Sequence, residues 1–289
     1  MRTRLHGWRA LAVAVAAVVA LAGMAVTPAA AITNGTLDGN AHPYVGLMTA
    51  HAANGNYLWR CSGTLLNAHV FITAGHCTEA PAASAVVFFD DGLITPDPAF
   101  TLTTRSCAGI AGYPCGGANS RTGVIHTHPQ YDPNAFFLHD LGVVVLDGAG
   151  FTPTNGSFGR LPALNSLDSL RVGRSTTFTS VGFGLQKAFP DAAARKNIQE
   201  RQRMVAHPWL HQINGGIVGD YALLLSNNAA AGGTCFGDSG GPNFRGTTNI
   251  VAGVTSFGLN WTCGGTGGVY RVDRADDLTW LATFGVAPS

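Results

Sequence analysis

Charge is what this sequence lacks most. Only 11% of its 289 residues are Asp, Glu, Lys or Arg, against roughly 25% in an ordinary soluble domain. The surface must therefore be built from Ser, Thr, Asn, Gly and backbone. With 46% hydrophobic residues, the chain does not read as disordered. A basic footprint is also missing. Three of the 17 basic residues (Arg2, Arg4, Arg9) precede every acid, and the remaining 14 face 16 acidic residues. That balance excludes nucleic acid as a partner held by charge. No C-x-x-C occurs, which argues against zinc-ribbon and dithiol redox chemistry. Long apolar runs are absent beyond the first 31 residues, so no later segment reads as a membrane span.

The N-terminus carries the features of a targeting segment. Arg2 to Arg9 give a positive start, and Ala10 to Val26 form an apolar run. Thr27 and Pro28 break that run, and Ala29-Ala30-Ala31 offers a small-residue cleavage site. A signal anchor is the rival reading, but the Ala-rich run followed by small residues favours a cleaved signal over residues 1–31. The mature chain then begins at Ile32 and is secreted, extracellular and free of the membrane. Export also changes how Cys61, Cys77, Cys107, Cys115, Cys235 and Cys263 read: in an oxidising compartment, three disulfides are the default.

After residue 31, short β-prone runs recur between Gly, Pro, Asn and Asp: Tyr44 to Met48, Val70 to Thr73, Ala85 to Phe89, Leu141 to Leu146, Thr176 to Val181, Ile250 to Thr255 and Gly268 to Val272. That pattern predicts an all-β sandwich or barrel. Residues 148–175 are polar and turn-rich, a candidate connector between two halves. A short C-terminal helix is expected where Asp276 and Asp277 precede Leu278, Leu281 and Phe284 at helical spacing.

Chemistry concentrates in Gly237-Asp238-Ser239-Gly240-Gly241-Pro242. A serine hydroxyl needs a base to become a nucleophile. Flanking glycines let backbone N–H groups approach the point where an oxyanion forms. The string also fits the G-x-S-x-G elbow of α/β-hydrolases, but that fold places its His after the Ser. No histidine follows Ser239, so the base must come earlier. Thr73-Ala74-Gly75-His76-Cys77 supplies one. Asp140, directly before the apolar run Leu141 to Leu146, supplies a carboxylate that the following strand draws inward. Asp132 and Asp147 compete less well for that place. His126, His128 and His139 suggest a metal site by spacing alone, but no acid or Cys cluster near them in sequence supports it. His69, His207 and His211 read as surface or structural residues.

These blocks, with Cys61-Ser62-Gly63-Thr64-Leu65-Leu66, resemble in order and spacing the chymotrypsin/trypsin family of serine peptidases over about residues 32–285. The resemblance implies two antiparallel β-barrels with the active site between them. Residues 32–155 would carry His76 and Asp140, and residues 156–289 would carry Ser239 and the C-terminal helix. It also implies His76 as base and acid, Asp140 as its orienting partner, Ser239 as nucleophile, and the N–H groups of Gly237 and Ser239 as the oxyanion hole. Cys61 would pair with Cys77, and Cys235 with Cys263. Cys107 and Cys115 are left to each other, a pairing the family pattern does not supply.

Three further expectations rest on the same resemblance. The Ile32 amine, freed by signal cleavage, would pair with Asp238; Thr33 and Asn34 depart from the usual sequence there. Gly233 at the base, Ser256-Phe257-Gly258 on one wall and Gly268 on the other would form the specificity pocket. From Tyr221 to Val272 the one acid is Asp238, so a cationic side chain would be buried there without a counter-charge, and large apolar or aromatic residues are expected instead. The partners implied are polypeptide substrates and protein inhibitors acting on a monomer, with no cofactor or metal needed. The weighed alternatives are a binding protein of the same fold without catalysis and an esterase using the same residues. Asn34, Asn155 and Asn260 begin glycosylation sequons.

Overall fold

A computed structural model describes residues 32–94, 119–135, 137–187 and 200–288. The expected leader, residues 1–31, and the expected Cys107–Cys115 bridge lie outside them.

The first barrel comprises β2 (Val45–Ala52), β3 (Tyr57–Leu65), β4 (Val70–Thr73), β5 (Ala82–Phe88), β6 (Ser120–Thr127) and β7 (Gly142–Leu146). They close in the order β2-β3-β4-β7-β6-β5, all antiparallel. Val70, Phe71, Ile72, Val143 and Val144 are buried; β-branched and aromatic residues suit such a surface.

The second sheet comprises β1 (Thr36–Leu37), β8 (Gly173–Gly182), β9 (Met204–Ala206), β10 (Trp209–Gln212), β11 (Ala222–Asn227), β12 (Pro242–Arg245), β13 (Val251–Gly258) and β14 (Gly265–Arg271). Pairing of β8 with β12 closes β8-β10-β11-β14-β13-β12 into a second antiparallel six-strand barrel. Strand β1, although first in sequence, pairs with β9 and so belongs to this second sheet. Helix α1 (Ala275–Ala282) buries Leu278 and Leu281, as its spacing predicts. The all-β, two-barrel expectation with a short terminal helix therefore holds.

The connector between β7 and β8 is anchored by charge. Arg271, fully buried, holds Asp273 at 2.7 Å and Asp168 at 2.8 Å, while Asp273 Oδ2 accepts the Leu167 N–H at 2.9 Å. Bidentate geometry of this kind compensates the desolvation of a buried guanidinium. Among the described residues, no helix is long and apolar enough to cross a membrane.

Candidate active site

His76 sits in the single 3-10 turn Gly75–Cys77 that follows β4. The Cys61–Cys77 disulfide ties that turn back to β3. Asp140 enters β7 through a tight turn in which His139 adopts a left-handed backbone, φ 51°. Fully buried, its carboxylate accepts the His76 backbone N–H at 2.9 Å and faces Nδ1 at 3.0 and 3.1 Å. The Ser256 hydroxyl donates to the same carboxylate at 2.5 Å. Burial acts to lower the His76 pKa, but the charge and hydrogen bond of Asp140 outweigh it and hold the imidazole above its ordinary value.

Ser239 lies on the loop between β11 and β12 and shares with His76 a cavity of about 320 Å³. Its carbonyl accepts the Ser62 N–H at 2.7 Å, and the Gly240 N–H donates to Thr255 O at 2.7 Å. Gly240, at φ 76°, is required here: a Cβ would lie 2.0 Å from Thr73 Oγ1 and 2.6 Å from Ser62 O. Among the described residues, no hydrogen bond joins the Ser239 hydroxyl to His76. Such contacts commonly tighten only when substrate binds.

The loop also disposes its amides. The Phe236 carbonyl accepts from Leu185 N–H and the Asp238 carbonyl from Gly241 N–H, each at 2.8 Å. Across a planar trans peptide, the N–H points opposite its carbonyl. The Gly237 and Ser239 N–H groups are thus turned away from these partners, and neither donates within the described residues.

A match to the trypsin family model spans residues 36–278. The chain belongs to the trypsin family. Chymotrypsin of Phaedon cochleariae is 26% identical over 264 residues, covering 89% of this chain and 83% of that protein. Brachyurin of Leptuca pugilator is 28% identical, covering 71% and 79%. Trypsin beta of Drosophila erecta is 25% identical, covering 76% and 77%. A solved structure of HL collagenase superposes with a TM-score of 0.65 at 20% identity, over 88% of this chain and 99% of that one. Human heparin binding protein superposes at 0.60 and 19% identity. As a trypsin-family protein, the chain is a serine peptidase and takes polypeptide substrates.

Within this trypsin-family frame the expected pocket residues separate. Ser256, Phe257 and Gly258 line the cavity with Thr234, Cys235, Phe236 and Cys263. Gly268 lies beneath the Phe257 ring, where a Cβ would sit 2.4 Å from it. Gly233 bridges to Thr33, and its Cβ would meet the Asn227 side chain at 2.3 Å. Asn227 is a residue the sequence reading missed. Buried behind Thr234, it donates to Thr234 O at 2.8 Å and accepts from Thr33 Oγ1 at 2.8 Å. The Cys235–Cys263 disulfide is present.

Asp238 is fully buried; its carboxylate accepts the N–H of Gly184 at 2.7 Å and of Cys235 at 2.9 Å. Burial nonetheless pushes its pKa up to about 7. Ile32 is buried against Met204 and Ala206. In this 289-residue chain it carries a peptide N–H rather than an amine, and no ion pair joins it to Asp238 among the described residues.

The structure also gathers His128 and His139 beside an acid, Asp277, that sequence spacing did not bring to them. Their rings lie nearly parallel, 5.1 Å apart. His128 Nδ1 accepts the Gln130 N–H at 3.2 Å, and the Tyr270 hydroxyl donates to both Asp277 oxygens. Parallel rings do not aim their in-plane lone pairs at one point, so the group reads as a packed cluster behind Asp140. His126 instead meets the Phe284 ring at a tilt, 5.1 Å between centroids.

Proposed function

We propose that the chain is a secreted serine endopeptidase acting through Ser239, His76 and Asp140. The observation that carries this reading is the hydrogen-bonded pair His76–Asp140 opening on the same cavity as Ser239. In the proposed reaction, the Ser239 hydroxyl oxygen attacks the scissile carbonyl carbon while His76 takes its proton. The Gly237 and Ser239 amides receive the oxyanion. His76 then gives the proton to the departing amine, leaving an acyl-enzyme. Water repeats the sequence and releases the acid. Asp140 stays ionised and stabilises the imidazolium.

A preference for large apolar or aromatic residues before the cut is supported by the cavity lining of Phe236, Phe257 and the Cys235–Cys263 bridge. Among the described residues no carboxylate lines this cavity, so a cationic side chain would enter it without a counter-charge. Secretion is supported by two disulfides and by the apolar leader. Cleavage before Ile32 would free the amine proposed to pair with Asp238.

The reading is tested with a serine-directed phosphonate and a chromogenic peptide panel. Stoichiometric labelling, lost in Ser239→Ala, and cleavage after Phe or Leu are the expected results. Fast cleavage after Arg with none after Phe or Leu overturns the specificity, and unlabelled, inactive wild type overturns the chemistry. A heparin-binding role of the kind named for one structural neighbour finds little support in a chain whose net charge is +1.

A further inference from the structure

Among the described residues, the Arg60 side chain has no ion-pair or hydrogen-bond partner. It sits on β3 beside Cys61 of the disulfide that holds the His76 turn. It is half-buried, yet among the described residues no carboxylate lies within 4.0 Å of its guanidinium and no hydrogen bond holds its side chain. Side chains alternate along a strand, so Arg60 and Ser62 project from the same face of β3. Ser62 meets the Ser239 loop, with its hydroxyl bonded to Gly237 O at 2.9 Å. Arg60 reaches the same loop: a Cβ built on Gly237 would lie 3.4 Å from its Nε and 3.6 Å from its Nη2. The guanidinium therefore stands beside the loop that carries the two free amides and Ser239.

Its side of that loop decides what it can touch. The cavity proposed for the residue before the cut is lined by Phe236, Ser256, Phe257, Gly258 and Cys263. Arg60 is not among its lining residues and lies past Gly237, toward Cys61–Cys77. His76, which in the proposed reaction gives its proton to the departing amine, sits beside Cys77 of this disulfide, so a substrate with its carbonyl at Ser239 would carry its leaving half to that side. We infer that Arg60 selects substrates with an acidic side chain, or a terminal carboxylate, just after the scissile bond. The inference rests on the peptidase reading above and adds to it a charge preference on the leaving side.

The physical case is one of unspent charge. Arginine offers a planar fork of donors suited to a carboxylate. A half-buried guanidinium is already partly stripped of water, so a carboxylate pairing with it loses less to solvent than at a fully exposed site. Asp238 feels the Arg60 charge, but its carboxylate is taken by the amides of Gly184 and Cys235. In the processed enzyme the proposed Ile32 amine would compensate it, leaving Arg60 to substrate.

The experiment uses the mature protein and internally quenched peptides that share one acyl half. Asp, Ala or Lys occupies the first two positions after the cut. Expected is a kcat/KM for Asp about tenfold above Lys, the scale of one partly screened charge pair. That ratio should shrink in 1 M salt, level out in Arg60→Gln and reverse in Arg60→Glu. Hydrolysis of a small ester bearing the same acyl half but no residue beyond it should stay unchanged in both variants, which shows that they fold. Equal cleavage of Asp and Lys peptides by wild type, or a preference that survives Arg60→Gln, overturns the role of Arg60 while leaving the peptidase standing. Failure to cut any peptide of the series overturns both.

Discussion

The Ser62 hydroxyl, on the first barrel, donates a 2.9 Å hydrogen bond to the carbonyl of Gly237, on the second. The same oxygen accepts the Phe183 N–H at 3.0 Å, and the Ser62 N–H holds Ser239 O at 2.7 Å. One residue thus fixes the loop at both ends of the segment that would present the oxyanion donors. Preorganised donors matter because they need not reorient as charge develops.

Ser62→Ala should therefore act on the chemical step. Losing a neutral hydrogen bond costs about 1 kcal/mol, so kcat should fall about five- to tenfold while KM stays unchanged. Affinity for a peptidyl boronic acid, which mimics the tetrahedral species, should fall in step with kcat. If substrate and boronic acid affinities fall together, Ser62 serves binding rather than the oxyanion loop.

Gly240 separates backbone strain from collision. Gly240→Ala places a methyl group into Thr73 Oγ1 and Ser62 O at a left-handed φ. Gly246→Ala has a similar positive φ, 55°, but open space around it. The second should cost about 1–2 kcal/mol, the left-handed penalty alone. The first should cost about 3 kcal/mol or more, because the junction of the two barrels must move. Chemical denaturation of both variants checks this, and equal losses would mean that the close approach at Gly240 is relaxed at no cost.

The parts legible in sequence are those where chemistry or local pattern fixes residue type. All seven β-prone runs overlap strands, from Tyr44–Met48 on β2 to Gly268–Val272 on β14. His76 and Asp140 meet as the resemblance implies, and the cavity beside them includes Ser239. Strands such as β11, Ala-Leu-Leu-Leu-Ser-Asn, escaped notice because burial on both faces removes the alternation that marks a strand. Ser62, Asn227 and Arg60 escaped for another reason. Ser62 and Gly237 are 175 residues apart, so nothing in the neighbourhood of either announces the pair. The place of Gly233 and Gly268 also depends on remote partners, Asn227 and the Phe257 ring, which decide what a glycine leaves open.

The pH profile should report the His76–Asp140 pair. The base must be neutral, and Asp140 holds the His76 pKa above its ordinary 6.5. The acid limb of kcat/KM should therefore have its midpoint above 6.5, with activity lost as pH falls through it. For folding the sign is opposite: the raised pKa adds stability that is full below the unfolded value and lost as pH rises through the folded one. Asp140→Asn removes the charge and fixes the wrong tautomer, so the rate should drop by about 10⁴ and the remaining limb should move to lower pH. An unmoved limb would assign the titration to another group.

Processing before Ile32 should change how stability depends on pH through Asp238. In the uncleaved chain the Asp238 pKa stands at about 7, well above 3.8. A carboxyl whose folded pKa is raised favours folding most below its unfolded pKa and loses that contribution as pH climbs to the folded value. The uncleaved chain should therefore lose stability between about pH 4 and 7, and Asp238→Asn should abolish that loss. If the freed Ile32 amine takes the place proposed for it, the sign reverses. Asp238 becomes a paired carboxylate, and stability and activity persist to the amine's own titration at about pH 8 or above. In that form Asp238→Asn should destabilise and inactivate. Parallel pH–denaturation curves of the two forms decide the matter: identical curves would mean that the amine never reaches Asp238.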